Sequence, residues 1–230
     1  MNSLESWIRS TVTSQAIGSA FIGDLRNDQI SLLEVRDVFE QFYWWRLRFH
    51  QWFGHSIALA ADLGDLPTAR AVSALARHVD VEIAENHAAS FREFVVGLGG
   101  KCAPLRRSPL PDSYLQSYFD RYGKTEGQLG FWRSVAGMAA REELASYRNV
   151  VLGSYLSRRG LDAPQWVSSH VELEGDHSLS FVVIINEAVV SEQIKAEEVF
   201  DAAAKEVSMH IEFLDSLLAE VRDLRTSKMT

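Results

Sequence analysis

A single cysteine, Cys102, occurs in the 230 residues. That excludes an intramolecular disulfide and any zinc site built on several thiolates, so a metal site in this chain has nitrogen and oxygen donors only. No apolar run approaches the roughly 18 residues that a membrane span requires. The opening Met1-Asn2-Ser3-Leu4-Glu5-Ser6-Trp7 has no basic segment leading into an apolar core, and a cytoplasmic location is expected. Lys/Arg-rich runs are missing, and the net charge is −8. Nucleic acid and acidic membrane both select a basic surface, so neither is an expected partner. A small-molecule substrate is, and a homodimer is compatible with that expectation. Repeats and low-complexity segments are absent, and the length fits one domain over 1–230 with a substantial core.

What is present has helical periodicity. Leu4 to Phe21 is weakly helical. Ser31-Leu32-Leu33-Glu34 has the form of a helix start, with Ser31 as N-cap and Glu34 closing a capping box. From there to Leu63 no proline intervenes, and Val35, Val38, Phe39, Phe42, Tyr43, Trp45, Phe49, Trp52 and Phe53 predict one long helix or two, apolar on more than one side and central to a bundle. Gly64 and Pro67 stop that run and open a third, about Thr68 to Leu98. A proline-rich loop from Cys102 to Pro111 and a short helix from Ser113 to Tyr122 follow. Long helices are predicted over Phe131–Leu156 and Ser191–Arg222. The β-branched Leu179–Ile185 could form a strand, but helical periodicity on both sides and no partner strand make it buried helix. The expected fold class is all-α, a bundle of about seven helices.

Three of these helices carry groups suited to metal chemistry. In His170-Val171-Glu172-Leu173-Glu174-Gly175-Asp176-His177, residues His170, Glu174 and His177 are spaced by four and three and share a helix face. Two imidazoles and a carboxylate at one point suit iron, zinc or manganese. Taken alone, the cluster fits a solvated acidic face equally well. A second set is Asp80 and His87, seven apart on the third helical run, with Glu82 and Glu85 pointing elsewhere; His78 and Glu82, four apart, are the competing pair. On the Phe131–Leu156 helix only one of Glu142 and Glu143 can face inward. Glu142 is favoured, because it follows Met138 by four and Val135 by seven. Met209 and His210 are read as core and surface residues rather than ligands.

Asp80 with His87, then Glu142, then His170, Glu174 and His177 resembles, in order and spacing, the haem-oxygenase-like non-haem di-iron oxidases and oxygenases. Their pattern is an acid and a histidine seven apart, a lone glutamate fifty to sixty residues on, and a closing His-x3-acid-x2-His. The resemblance extends from the aromatic Gln41-Phe42-Tyr43-Trp44-Trp45 helix to the closing motif. It departs in having Asp80 where glutamate is common, Glu174 where aspartate is frequent, and Gly175 within the last helix. It implies a haem-oxygenase-like bundle and two Fe(II) ions held by Asp80, His87, Glu142, His170, Glu174 and His177. O2 would be the co-substrate, and a small organic molecule the substrate, an amino acid or derivative sooner than a fatty acid, in a natural-product pathway. The alternatives are a cofactorless oxidase or thiaminase-like enzyme on the same fold, the latter needing a nucleophilic cysteine, or a non-enzymatic helical interaction module. Phe42, Tyr43, Trp45, Phe49 and Trp52 either line an apolar pocket or are plain core, and Arg46, Arg48 and Arg141 are read as surface charges.

Overall fold

A computed structural model describes residues 4–102, 107–124, 127–162 and 165–227; the side chains at 165, 169, 170 and 172–175 lie outside the described residues. Every regular element among them is a helix: α1 (Leu4–Ile17), α2 (Ala20–Arg26), α3 (Leu32–Arg46), α4 (Phe49–Ala58), α5 (Leu66–Ala84), α6 (His87–Gly97), α7 (Leu110–Gly123), α8 (Gly127–Arg158), α9 (Gln165–Val190) and α10 (Ala196–Thr226). The all-α expectation holds, with more helices than the seven expected: the N-terminal segment divides into α1 and α2 at Gly18–Ser19, and two later long runs are broken.

Neither break is marked by glycine or proline. Between α3 and α4 the chain turns at Leu47–Arg48, and Trp45 then stacks on Trp52 with ring centroids 5.1 Å apart and planes 12° from parallel. On one continuous helix, residues seven apart are separated by about 10 Å along the axis. The turn is what lets two large aromatics bury each other. Between α5 and α6, Asn86 takes a left-handed conformation (φ 50°, ψ 45°), which asparagine adopts more readily than most residues. His87 therefore begins a new helix, and its spacing from Asp80 no longer places the two on one face.

Helix α9 runs without a break through Gly175 and through the β-branched segment. Ser178, Phe181, Ile185 and Ala188 are buried at intervals of three and four, the signature of one helix face. Helix α8 is the central element, with α9 on one side, α10 on another and α1 and α2 alongside. Two hydroxyls fix its register against the antiparallel α9. Ser178 Oγ donates to the Ala139 carbonyl (2.9 Å), and Ser146 Oγ donates to the Val171 carbonyl (3.1 Å). In that register Glu142 lies level with the turn of α9 that leads to His177.

The capping box at the start of α3 is present. The Glu34 amide donates to Ser31 Oγ (3.2 Å), the Ser31 amide donates to Glu34 Oε2 (2.8 Å), and Arg222 of α10 donates to Glu34 Oε1 (2.8 Å). Partial burial pushes the Glu34 carboxyl up, but the bonds from Arg222 and Ser31 prevail and hold it at about 2. Because the folded value lies below the unfolded one, its contribution is complete at neutral pH and is lost as pH falls from about 4 towards about 2. Glu34→Gln should lower the melting temperature at neutral pH and shrink the wild-type excess as acid is added. Thermal melts across that range check it; an excess that grows on acidification would contradict it.

Candidate metal centre

Four helices bring titratable side chains to one place inside the bundle. His78 and Glu82 lie one turn apart on α5, His87 opens α6, Glu142 comes from the middle of α8 and His177 from α9. All but His177 are buried, and His177 is partly so. One ligand atom each from His78, Glu142 and His177 lie within 4.8 Å of one another. The His78 and His177 rings are 4.0 Å apart between centroids. Glu82 divides its oxygens: Oε1 is 3.5 Å from His78 Nε2, and Oε2 is 3.2 Å from His87 Nδ1. His87 Nε2 in turn meets Glu85 Oε2 at 2.8 Å.

The charges in this cluster are balanced rather than screened. The Arg46 guanidinium, also buried, donates to both oxygens of Glu82. Burial would raise the Glu82 carboxyl, yet Arg46, His78 and His87 hold it well below the usual carboxylate range. His87 is pulled up, its desolvation outweighed by Glu82 and Glu85. His177 is pushed down by burial and by the neighbouring His78, which leaves its imidazole neutral and suited to ligation.

Behind the cluster, Phe42, Trp45, Trp52 and Trp166 wall a narrow cleft with a cavity of about 30 Å³, whose lining also includes His78, Glu82 and Glu142 together with Arg141, Arg148 and His210. On the outer side, His78 and His177 form part of a groove between α5 and α9. The three converging ligands thus stand in the wall between a buried cleft and the surface.

The Asp80 expectation is corrected. Asp80 is exposed, and the buried acid of α5 is Glu82, read from the sequence as pointing elsewhere. The reason is the break at Asn86, which removes the shared face of Asp80 and His87 and gives their place to His78 and Glu82. His87 nevertheless reaches the cluster, through Glu82. Glu142 is the inward member of its pair, while Glu143 is partly exposed against α1, 3.5 Å from Arg9. His177 is in the cluster; the side chains of His170 and Glu174, on the same helix, lie outside the described residues. Arg46 and Arg141 are buried, not surface charges, whereas Arg48 pairs with Asp112 near the surface. Of the aromatic wall, Phe42, Trp45 and Trp52 line the cleft, and Tyr43 and Phe49 do not.

Three sets of buried side chains in or beside the cleft were not expected there from the sequence. Arg141, Ala145 and Arg148 follow one another at four and three on α8, a face-sharing interval that was overlooked. Glu206, His210, Phe213 and Leu217 form a second buried stripe on α10, beside the aliphatic one. Trp166 carried no signal, because it stands apart from other aromatics in the sequence.

The donor set fits iron. Two imidazoles and a carboxylate are the ligands of non-haem Fe(II) oxygenases. The Nδ1 atom of His78 is buried with no hydrogen-bond partner among the described residues, and a buried polar atom in that state calls for an ion or water to satisfy it. The family described as iron-containing redox enzymes matches residues 36–210, a span that contains every residue of this cluster and cleft. The chain belongs to that family. A TenA homolog from Pseudomonas syringae pv. tomato shares the fold, with a TM-score of 0.66 over 94% of this chain and 90% of that one at 12% identity. Comparison with curated protein sequences gives no match. Cys102 is not among the residues that line the cleft. It is buried between α6 and α7, with Sγ 4.0 Å from the Arg92 carbonyl, and burial and Glu40 push its thiol up. The nucleophile that a thiaminase-like hydrolase needs is missing from the cleft.

Arg46→Met should strip Glu82 of its main counter-charge and destabilise the metal-free protein by about 3 kcal/mol, the usual cost of breaking a buried pair from one side. Urea unfolding measures it; a change within about 0.5 kcal/mol would show that the imidazoles alone sustain the buried carboxylate.

Proposed function

We propose that the protein is a non-haem di-iron oxidase or oxygenase that uses O2 to oxidise a small organic substrate beside His78, Glu142 and His177, in a natural-product biosynthetic pathway. The convergence of those three ligand atoms within 4.8 Å is the observation that carries the reading. They would hold one ferrous ion. Glu82, whose two oxygens already face His78 and His87 separately, is the group that would reach both this ion and a second one beside His87. The resemblance read from the sequence adds His170 and Glu174 to the ligands.

Bound ferrous iron would supply the capacity to bind and reduce dioxygen, which no side chain of the cleft has. The chain's own contribution is confinement and charge. Phe42, Trp45, Trp52 and Trp166 supply the apolar part of the lining, which limits the access of water to the reacting centre. Arg46 balances Glu82, so that the carboxylate stays ionised and available as a ligand in a buried position. The cleft is narrow, and Arg46, Arg141 and Arg148 stand in its lining. A polar, compact molecule such as an amino acid or its derivative suits a centre with these neighbours better than a fatty acid, which requires a long apolar channel.

Anaerobic reconstitution with ferrous iron should give about two irons per chain, the loading of di-iron helical bundles. His177→Ala and Glu142→Ala should each lose at least half of that iron, and the loaded wild type should consume O2 faster when a substrate is present. Substoichiometric iron that neither substitution reduces would reject the proposal.

A further inference from the structure

Space for a substrate at the metal centre lies in front of it rather than behind. The buried cleft, a cavity of about 30 Å³, has room for about one water. The groove between α5 and α9 encloses about 450 Å³, and His78 and His177 are part of its lining. Of the two, the groove alone can bring an organic molecule beside these ligands.

Two contacts between the helices fix its direction and its length. The His78 and His177 rings are 4.0 Å apart between centroids, and Arg70 donates to both oxygens of Glu187 at 2.6 and 2.8 Å. Pairing of 78 with 177 and of 70 with 187 makes the helices antiparallel. The helical rise then sets the ion pair about 12 Å from the histidines, at the far end of the groove. Between the two lie the apolar side chains of Ala74, Phe181, Val183 and Ile184.

Most polar groups of the lining are already engaged. Arg70 and Glu187 answer each other, the Ser180 hydroxyl donates to the His177 carbonyl (2.8 Å), and the two histidines are candidate ligands. Ser73 is an exposed hydroxyl, open to water. Arg77 and Asp176 remain. Each directly precedes one of the two histidines, each is exposed, and no ion pair or hydrogen bond engages either among the described residues. A guanidinium on α5 and a carboxylate on α9 thus flank the groove at the level of the metal centre.

We propose that this groove is the substrate site, and that Arg77 and Asp176 are its specificity-determining residues. Arg77 takes the carboxylate and Asp176 the ammonium of a free amino acid, whose apolar side chain lies along Phe181 and Ile184 towards the Arg70–Glu187 pair. The inference rests on the proposed iron centre, since it places the charged head and the carbon that bears it beside His78 and His177. Opposite charges on the two walls act by exclusion as well as attraction. A fatty acid answers Arg77 but sets its carboxylate against Asp176, and its chain runs into the ion pair. A simple amine meets the converse at Arg77.

The test uses 4-fluoro-L-phenylalanine, 3-(4-fluorophenyl)propanoate, which lacks the ammonium, and 4-fluorophenethylamine, which lacks the carboxylate. Binding to the full-length protein is read by fluorine NMR, metal-free and then loaded anaerobically with ferrous iron. The amino acid should bind about threefold to tenfold more tightly than either analogue, between the worth of an exposed ion pair and that of a charge-assisted hydrogen bond. Arg77→Met should cost the amino acid that factor without weakening the amine, and Asp176→Asn should cost it that factor without weakening the acid. Both side chains are exposed, so both variants should keep the fold. Val183→Trp, at an exposed position of the groove wall, should weaken all three probes, and bound ferrous iron should broaden the signal of the bound amino acid. Equal affinities, binding of no probe, or a preference that survives both charge substitutions would overturn the inference. Discrimination by Arg77 and Asp176 in a protein that takes up no iron would leave the recognition site standing and reject the di-iron reading. Full iron loading without discrimination would do the reverse.

Discussion

The cost of placing an ionised carboxylate inside a helical bundle governs the arrangement of this protein. Such a group costs several kcal/mol unless a counter-charge and hydrogen bonds accompany it. Of the buried acids near the cleft, two are each answered by their own arginine: Glu82 by Arg46 and Glu206 by Arg141. The two couples differ in what else they hold. Glu82 turns its oxygens to two histidines and stays within reach of metal ligands. Glu206 binds two tyrosines, and one of these fixes the orientation of His210. One buried acid thus stands beside the candidate metal ligands, and the other is held by tyrosines of α7.

Packing transmits these constraints to the chain. The Ser178 and Ser146 hydroxyls lock α9 onto α8 in one register, which places Glu142 opposite His177. Arg141 lies over the Trp52 ring at 3.5 Å from its centroid, so the same guanidinium that neutralises Glu206 also forms part of the aromatic wall. Trp52 is in position because the chain turns after Arg46, and the turn also presents Arg46 to Glu82. Fold and charge balance are therefore coupled through a few side chains that serve both.

Much of this was legible in the sequence. The helical class, the capping box at Ser31 and Glu34, the inward choice of Glu142 over Glu143 and the membership of an iron-handling family all rest on spacing and residue type, which local periodicity preserves. The error on α5 has a definite origin. A seven-residue interval implies a shared face only while the helix continues, and Asn86 ends it without glycine or proline to mark the place. His78 and Glu82 were consequently ranked below Asp80. His210 was expected at the surface, and the structure buries it instead. Only the meeting of α7 and α10 shows that it is buried, with Nδ1 3.0 Å from the Tyr114 hydroxyl. Trp166 was missed for a similar reason, since its role depends on helices distant in sequence packing against it.

The fold shared with the TenA homolog at 12% identity shows how little of the architecture depends on particular side chains, and on such a fold function is carried by the groups mounted on it, here proposed to be the charged and imidazole side chains of the cluster. The most direct test of their role is an anomalous difference map from crystals of the iron-loaded protein, recorded on either side of the iron absorption edge. The account predicts an iron peak within bonding distance of His78, Glu142 and His177, with Glu82 turned towards it. A well-occupied iron peak away from these side chains, or bound to Asp80 in place of Glu82, would contradict it.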